Sequence, residues 1–295
     1  MKIIQILVFF SFFSAFSQGI TIDNSSTANQ LVDMLLNDAC VEVSNISMSS
    51  NLSVASFDDN NSSFPIQEGV VLRSGLVQDT EGIYTGENLS TQENSNSDND
   101  LQEVVNSSGQ TVPVTDVAYL QFDFVPISNK VSLDFLLASN EYGEFQCISN
   151  DAIGFILKNL DTGESVNIGV IPETVVPVSV KNIRDNAYNA SCVSDNEEYF
   201  DTYNVDTPAS SSLNMRGHTR VISTEYDLQP GNNYRIRFLV GDSNDADYDS
   251  AVFLAGGSFE TRLDLGEDFT LCGNETHLLN TEIDAGLYDH VWLKD

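Results

Sequence analysis

The densest group of chemically capable side chains runs from Asp242 to Asp249, where Asp242, Asn244, Asp245, Asp247 and Asp249 offer oxygen donors at close spacing. Ca²⁺ takes roughly 6–8 hard oxygens, and a flexible acidic loop can supply them. The run is not an EF-hand, which requires Gly at its sixth position and Glu at its twelfth. Counting from Asp242 puts Asp247 and Phe253 there. The competing reading is a strand-connecting loop held by Asx turns.

A second group, Glu141, Glu144, Asn150 and Asp151, flanks Cys147 and precedes the apolar run Ala152 to Leu157. Carboxylates beside a buried strand must be paired, hydrogen-bonded, metal-bound or exposed. Glu141 and Asp151 would share a calcium ion with the Asp242 loop if the strands that carry them are neighbours. Two carboxylates are also the apparatus of glycoside hydrolysis, which depends on a separation that sequence spacing does not measure.

Other chemistries find no support. His218 is the single histidine before residue 260, and His277 and His290 come late. No GxSxG elbow is present and no cysteine sits beside a histidine, so an activated nucleophile has no signature. The cysteines and histidines are too scattered for zinc, and no GxGxxG or P-loop supports nucleotide binding. We assign no catalytic residue and expect a non-enzymatic protein, with a carbohydrate-active hydrolase using Glu141 as the residual alternative.

These groups need a scaffold, and the apolar pattern describes a mainly β one. Ser26 or Thr27 can cap a short N-terminal helix through Asn37, with Leu31, Leu35 and Leu36 on one face. Beyond Cys40 the pattern becomes short runs bounded by Gly, Asn, Asp and Ser, the strand signal. Expected strands are 41–46, 70–73, 118–124, 131–138, 152–157, 175–180, 219–226, 234–240 and 251–259. Val131, Leu133, Phe135 and Leu137 alternate with Ser132 and Asp134, and Tyr234, Ile236 and Phe238 alternate with Arg235 and Arg237. Each such strand buries one face. Many strands without crossover helices imply an antiparallel β-sandwich of jelly-roll type.

Gln78 to Ser108 is rich in Asn, Ser, Asp and Glu and is too long for an ordinary connection. It reads as a surface loop or flexible insertion. Asp185 to Met215 carries Cys192, Tyr188, Tyr199, Phe200 and Tyr203, and is expected to pack on the sandwich.

The ends set the context. Lys2, the apolar run Ile3 to Phe10 and small Ala15 and Ser17 have the layout of a cleavable signal peptide over residues 1–17. A membrane anchor needs about 20 apolar residues, and Ser11 and Ser14 interrupt this stretch, so no membrane insertion is expected after cleavage. The main domain then covers 18–259. Residues 260–295, with Cys272 and the single Trp292, read as the opening of an immunoglobulin-like module that stops before it could close. Four cysteines in an exported chain imply disulfides. Three full pairings are open, and Cys147 with Cys192 is the one we expect, each lying beside a polar loop of the main domain. The formal net charge of -32 repels phosphate backbones and anionic lipid, which argues against a nucleic-acid partner.

The segments QLVDMLLNDACVEVSN, EGVVLRSG, VSLDFLLASNEYGEFQC, NDAIGFIL and GDSNDADYDSAVFLAGGSF, in that order, resemble the successive motifs of the choice-of-anchor L domain family, found in exported proteins of Bacteroidetes and other bacteria. The resemblance covers roughly 27–259. It implies a secreted or cell-surface protein held by a separate C-terminal anchoring or sorting signal. It carries no agreed biochemical activity. The expectation is an adhesion module that binds a surface glycan or protein through its loops, stiffened by calcium. The alternative is a structural spacer in a larger surface protein.

Overall fold

The computed structural model describes residues 18–36, 41–148 and 151–262. The expected signal peptide, Cys40, Asn150 and the expected immunoglobulin-like segment with Cys272 fall outside these residues. The elements in order are β1 (Thr21–Asp23), α1 (Ala28–Leu36), β2 (Glu42–Met48), β3 (Val54–Asp58), β4 (Glu68–Arg73), α2 (Asn99–Ser107), β5 (Val114–Val125), β6 (Lys130–Ser139), β7 (Ala152–Asn159), β8 (Ser165–Asn167), β9 (Phe200–Tyr203), β10 (Gly217–Thr219), β11 (Ile222–Asp227), β12 (Tyr234–Ser243), β13 (Ser250–Ala255) and β14 (Glu260–Arg262).

They form the expected antiparallel β-sandwich. One sheet runs β1-β3-β4-β13-β6-β10-β9, with β11 and β14 also pairing with β6. The other runs β2-β5-β12-β7-β8. β10 and β11 lie in succession along β6, as do β13 and β14. The core between the sheets is aromatic, with Phe122, Phe124, Phe135, Phe155, Phe238 and Phe259 fully buried. Edge-to-face pairs such as Phe135–Phe155, at 4.6 Å between ring centroids, favour this packing over plain area burial.

The alternation in β6 works as the sequence implies, because Val131, Leu133, Phe135 and Leu137 all enter this core. The other face of β6 is not simply wet. Leu136 and Ala138 enter a second cluster with Ile20, Phe57, Phe253, Leu213 and Met215. The N-terminal strand and the 211–215 stretch thus cover the back of the sheet.

Helix α1 forms where expected. The Thr27 amide donates to the Gln30 side-chain oxygen at 2.9 Å and the Gln30 amide donates back to the Thr27 hydroxyl at 3.4 Å, a capping box. Leu31, Val32, Leu35 and Leu36 are buried.

Three expectations are corrected. The stretch 78–108 is neither a bare loop nor a free insertion, because it contains α2. The Asp98 side chain caps α2 by accepting from the Asp100 and Leu101 amides, and Leu101, Val104 and Val105 pack on the outer face of the second sheet. The stretch 175–180 makes no strand beyond an isolated bridge at Pro177, and Val175 is exposed. The expected strands 219–226 and 251–259 are each shorter or broken, with irregular residues between β10 and β11 and between β13 and β14. The 185–215 segment does pack on the sandwich, burying Phe200, Tyr203, Leu213 and Met215.

Candidate functional site

Antiparallel pairing gathers distant residues at one end of the sandwich. Gly241 sits opposite Ala152, Asp242 opposite Thr115 and Ser250 opposite Ser139. Glu141 follows the end of β6, Asp151 precedes β7, Asp242 lies near the end of β12, Asp249 precedes β13 and Asp116 lies early in β5. All five carboxyl side chains are buried. The fully buried cation Arg73 closes β4 beside them.

The five divide by their partners. Asp249 is fully engaged: it accepts from Arg73 Nε at 2.9 Å, from the Thr91 amide at 3.0 Å and from the Thr91 hydroxyl at 2.7 Å. The same guanidinium donates to the Asn88 carbonyl at 2.5 Å and the Thr80 hydroxyl at 3.3 Å. Asp116 accepts the Glu93 amide at 3.1 Å and the Asn94 amide at 2.9 Å. These two aspartates pin the 88–94 stretch onto the sandwich. A side chain at Gly75 would overlap the Asp249 carboxylate and the Thr91 carbonyl, so this approach needs glycine. Burial still pushes the Asp249 carboxyl above its usual range, against the opposing pull of Arg73.

Glu141, Asp151 and Asp242 are 1%, 4% and 0% exposed and are poorly satisfied. Glu141 Oε2 accepts the Asp151 amide at 3.2 Å, and Asp151 Oδ1 accepts the Ser243 amide at a long 3.4 Å. Asp151 Oδ2, both carboxylate oxygens of Asp242 and the Ser243 hydroxyl are buried without any hydrogen-bond partner. The Ser74 hydroxyl is near enough to favour the ionised form of Asp242, yet it makes no hydrogen bond of ordinary geometry to it. Burial is the main reason the Glu141 carboxyl is pushed up to about 8, with Asp242 and Asp245 adding to it. Burial likewise pushes Asp242 up to about 10, with Asp151 next in effect. Asp151 is raised well above the usual carboxylate range by burial and then by Glu141.

The structure therefore brings Glu141, Asp151, Asp242 and Asp249 together. Asn244, Asp245 and Asp247 lie on the exposed loop, with Asp245 near enough to Glu141 to raise its carboxyl. There Asp245 accepts the Asp247 amide at 3.2 Å and the Asn244 side-chain amide at 3.1 Å, an Asx-type turn. Glu144 is exposed as well. Among the described residues no three His, Cys, Asp or Glu side chains gather closely enough to hold a metal ion by themselves. Sequence reading missed Arg73, Asp116 and Ser243. The only signal Arg73 left is its place at the end of the apolar run EGVVLR, where a guanidinium, if buried, needs an acid partner.

The Cys147 and Cys192 side chains are joined in a disulfide with Cα atoms 5.8 Å apart, which clamps the β6–β7 connection to the 185–215 segment. At the opposite end of β6, roughly 30 Å of strand away, lies an open groove of about 1210 Å³. Its lining includes Asn159, Thr162, Tyr226, Asp227, Gln229 and Asn232. The larger opening is thus remote from the buried carboxylates. A sugar in it would not touch Glu141, so the two features do not combine into a glycosidase site.

A family model described as the Choice-of-anchor L domain matches residues 20–260. No curated protein and no solved structure matches the chain. No helix among the described residues is long and apolar enough to cross a membrane.

Proposed function

Because the chain belongs to the Choice-of-anchor L domain family, a family of exported, surface-associated modules, we propose that it is a non-catalytic surface domain that binds a glycan in the groove at the Lys130 end. The observation that carries this reading is the lining of that groove. Tyr226 is an exposed aromatic on β11, and Asn159, Thr162, Gln229 and Asn232 place amides and a hydroxyl around it. A half-exposed tyrosine gives an apolar face for the C–H side of a sugar ring, and the amides can bridge its hydroxyls. Asn159, Tyr226 and Tyr234 reach the groove from paired strands, and Thr162, Gln229 and Asn232 from the short turns that join β7 to β8 and β11 to β12.

The two long polar stretches contribute differently from what their composition suggests. The Tyr84 amide donates to the Ser211 hydroxyl at 2.6 Å and the Thr85 amide to Asn214 Oδ1 at 2.8 Å. The stretches 78–108 and 185–215 are therefore tied to one another, and neither lines the groove.

Glycan-array binding followed by titration of the best hit tests the reading. Tyr226→Ala is expected to weaken binding at least tenfold with the fold intact. A folded parent protein that binds no glycan on the array would make the spacer role the better account. Retention of full affinity by Tyr226→Ala would move the site elsewhere.

A further inference from the structure

The four unpartnered buried oxygens, Asp151 Oδ2, Asp242 Oδ1, Asp242 Oδ2 and Ser243 Oγ, come from adjoining ends of β7 and β12. Those ends are held together by the Ser243 amide reaching Asp151 Oδ1. Glu141 adds a third carboxylate, tethered through the Asp151 amide. Ionised carboxylates only accept hydrogen bonds, and burying several of them with only neighbouring serine hydroxyls such as Ser74 and Ser250 as side-chain donors costs several kcal/mol of desolvation. The fully buried cation beside them, Arg73, is committed to Asp249, Asn88 and Thr80. A bound cation satisfies several carboxylate oxygens and a hydroxyl oxygen together.

We propose that Asp151, Asp242 and the Ser243 hydroxyl, backed by Glu141, hold a calcium ion at this end of the sandwich. The donors are all oxygen, and Cys147 is used in its disulfide, so a hard cation fits and zinc does not. Two carboxylates with one hydroxyl leave coordination positions for water. Ca²⁺ accepts such an irregular shell more readily than Mg²⁺, which demands near-octahedral geometry. A cavity of about 330 Å³ is lined by Ser243 together with Ile148, Lys181, Asn244 and Asp245, while Asp151 and Asp242 lie behind it. The ion would add to the contacts that already join the β6–β7 and β12–β13 connections, the Asn140 amide on the Asp249 carbonyl at 3.0 Å and the stacked Phe145 and Tyr248 rings. The site is independent of the groove, so neither proposal stands or falls with the other.

Thermal unfolding of the full chain in EGTA and in millimolar CaCl2, with calorimetric titration of Ca²⁺ and of Mg²⁺, tests it. Saturating calcium, at about a hundred times Kd, is expected to raise Tm by roughly 5–10 °C. Mg²⁺ at the same concentration should give less than half of that. Asp242→Asn should abolish the calcium shift while leaving the EGTA melt as stable as the parent or more so, because it removes an unpaired buried carboxylate. Ser243→Ala should weaken calcium binding about tenfold without changing the EGTA melt. The double variant Asp245→Ala/Asp247→Ala should keep the shift. No shift and no heat with folded parent protein would overturn the proposal. So would a full calcium response in both Asp242→Asn and Ser243→Ala, or loss of the response only in the Asp245/Asp247 double variant.

Discussion

Asp242 and Asp249 bracket a single loop and burial raises both carboxyls, yet their partners differ. Asp249 meets Arg73 and two donors from Thr91, whereas Asp242 meets Asp151 and makes no hydrogen bond of ordinary geometry. Removing one half of a buried pair leaves the other charge uncompensated, so Arg73→Met should destabilise the protein by about 3–5 kcal/mol in urea unfolding. Asp242→Asn in EGTA should be neutral or stabilising. The titration of Glu141 points the same way. Its carboxyl is raised from 4.5 to about 8, so between those values the folded chain holds a proton that the unfolded chain releases. The resulting stability is fully present below about pH 4.5 and is lost as pH rises through about 8. The charged groups facing it are Asp242, Asp245 and Asp151, whose own carboxyl Glu141 raises in turn. In EGTA, the urea midpoint of the parent should therefore fall from pH 5 to pH 8 more steeply than that of Glu141→Gln. Equal slopes would show that Glu141 does not hold that proton.

At the scale of elements, α2 shows how a short helix hides in a polar stretch. Its apolar residues are only Leu101, Val104 and Val105, spaced to make one stripe, among Asn, Asp, Gln, Glu and Ser. That stripe is too short to stand out against its composition. Its start is fixed by tertiary partners: Arg237 of β12 pairs with Asp98 at 2.7 Å and also with Asp100. Asp98→Ala removes the cap and the ion pair together, and should cost about 1–2 kcal/mol. Hydrogen exchange should show the loss concentrated in residues 99–107, and a loss spread evenly over the sandwich would count against this local role. The stretch 175–180 errs in the other direction. Its valines have the composition of a strand, but Val178 and Val180 are buried in an irregular turn while Val175 faces solvent. β-propensity is a packing preference and forms no strand without a neighbour to pair with.

For the whole molecule, the disulfide and the charge act over the longest range. Cys147 and Cys192 close a loop of 45 residues, so the Cys147→Ser/Cys192→Ser variant should lose about 2–4 kcal/mol of stability. A smaller loss in denaturant titration would show that the 185–215 segment is held by Phe200, Tyr203 and Met215 alone. The net charge of -32 opposes compaction and draws cations to the surface, so moderate salt should raise Tm even in Asp242→Asn.

By itself the sequence determined the antiparallel sandwich, the inward faces of β6 and β12, the capped helix α1 and the family, because these depend on local periodicity, capping and ordered motifs. The Cys147–Cys192 link was expected only from its loop context. The acidic run at Asp242 was legible as a place of interest, but its division was not. Only the tertiary structure decided that Asp249 turns to Arg73, that Asp245 and Asp247 stay in solvent, and that Asp242 faces Asp151 without a well-formed hydrogen bond. Strand register sets those neighbours across more than ninety residues of chain, and pairing between distant ends leaves no mark in local composition.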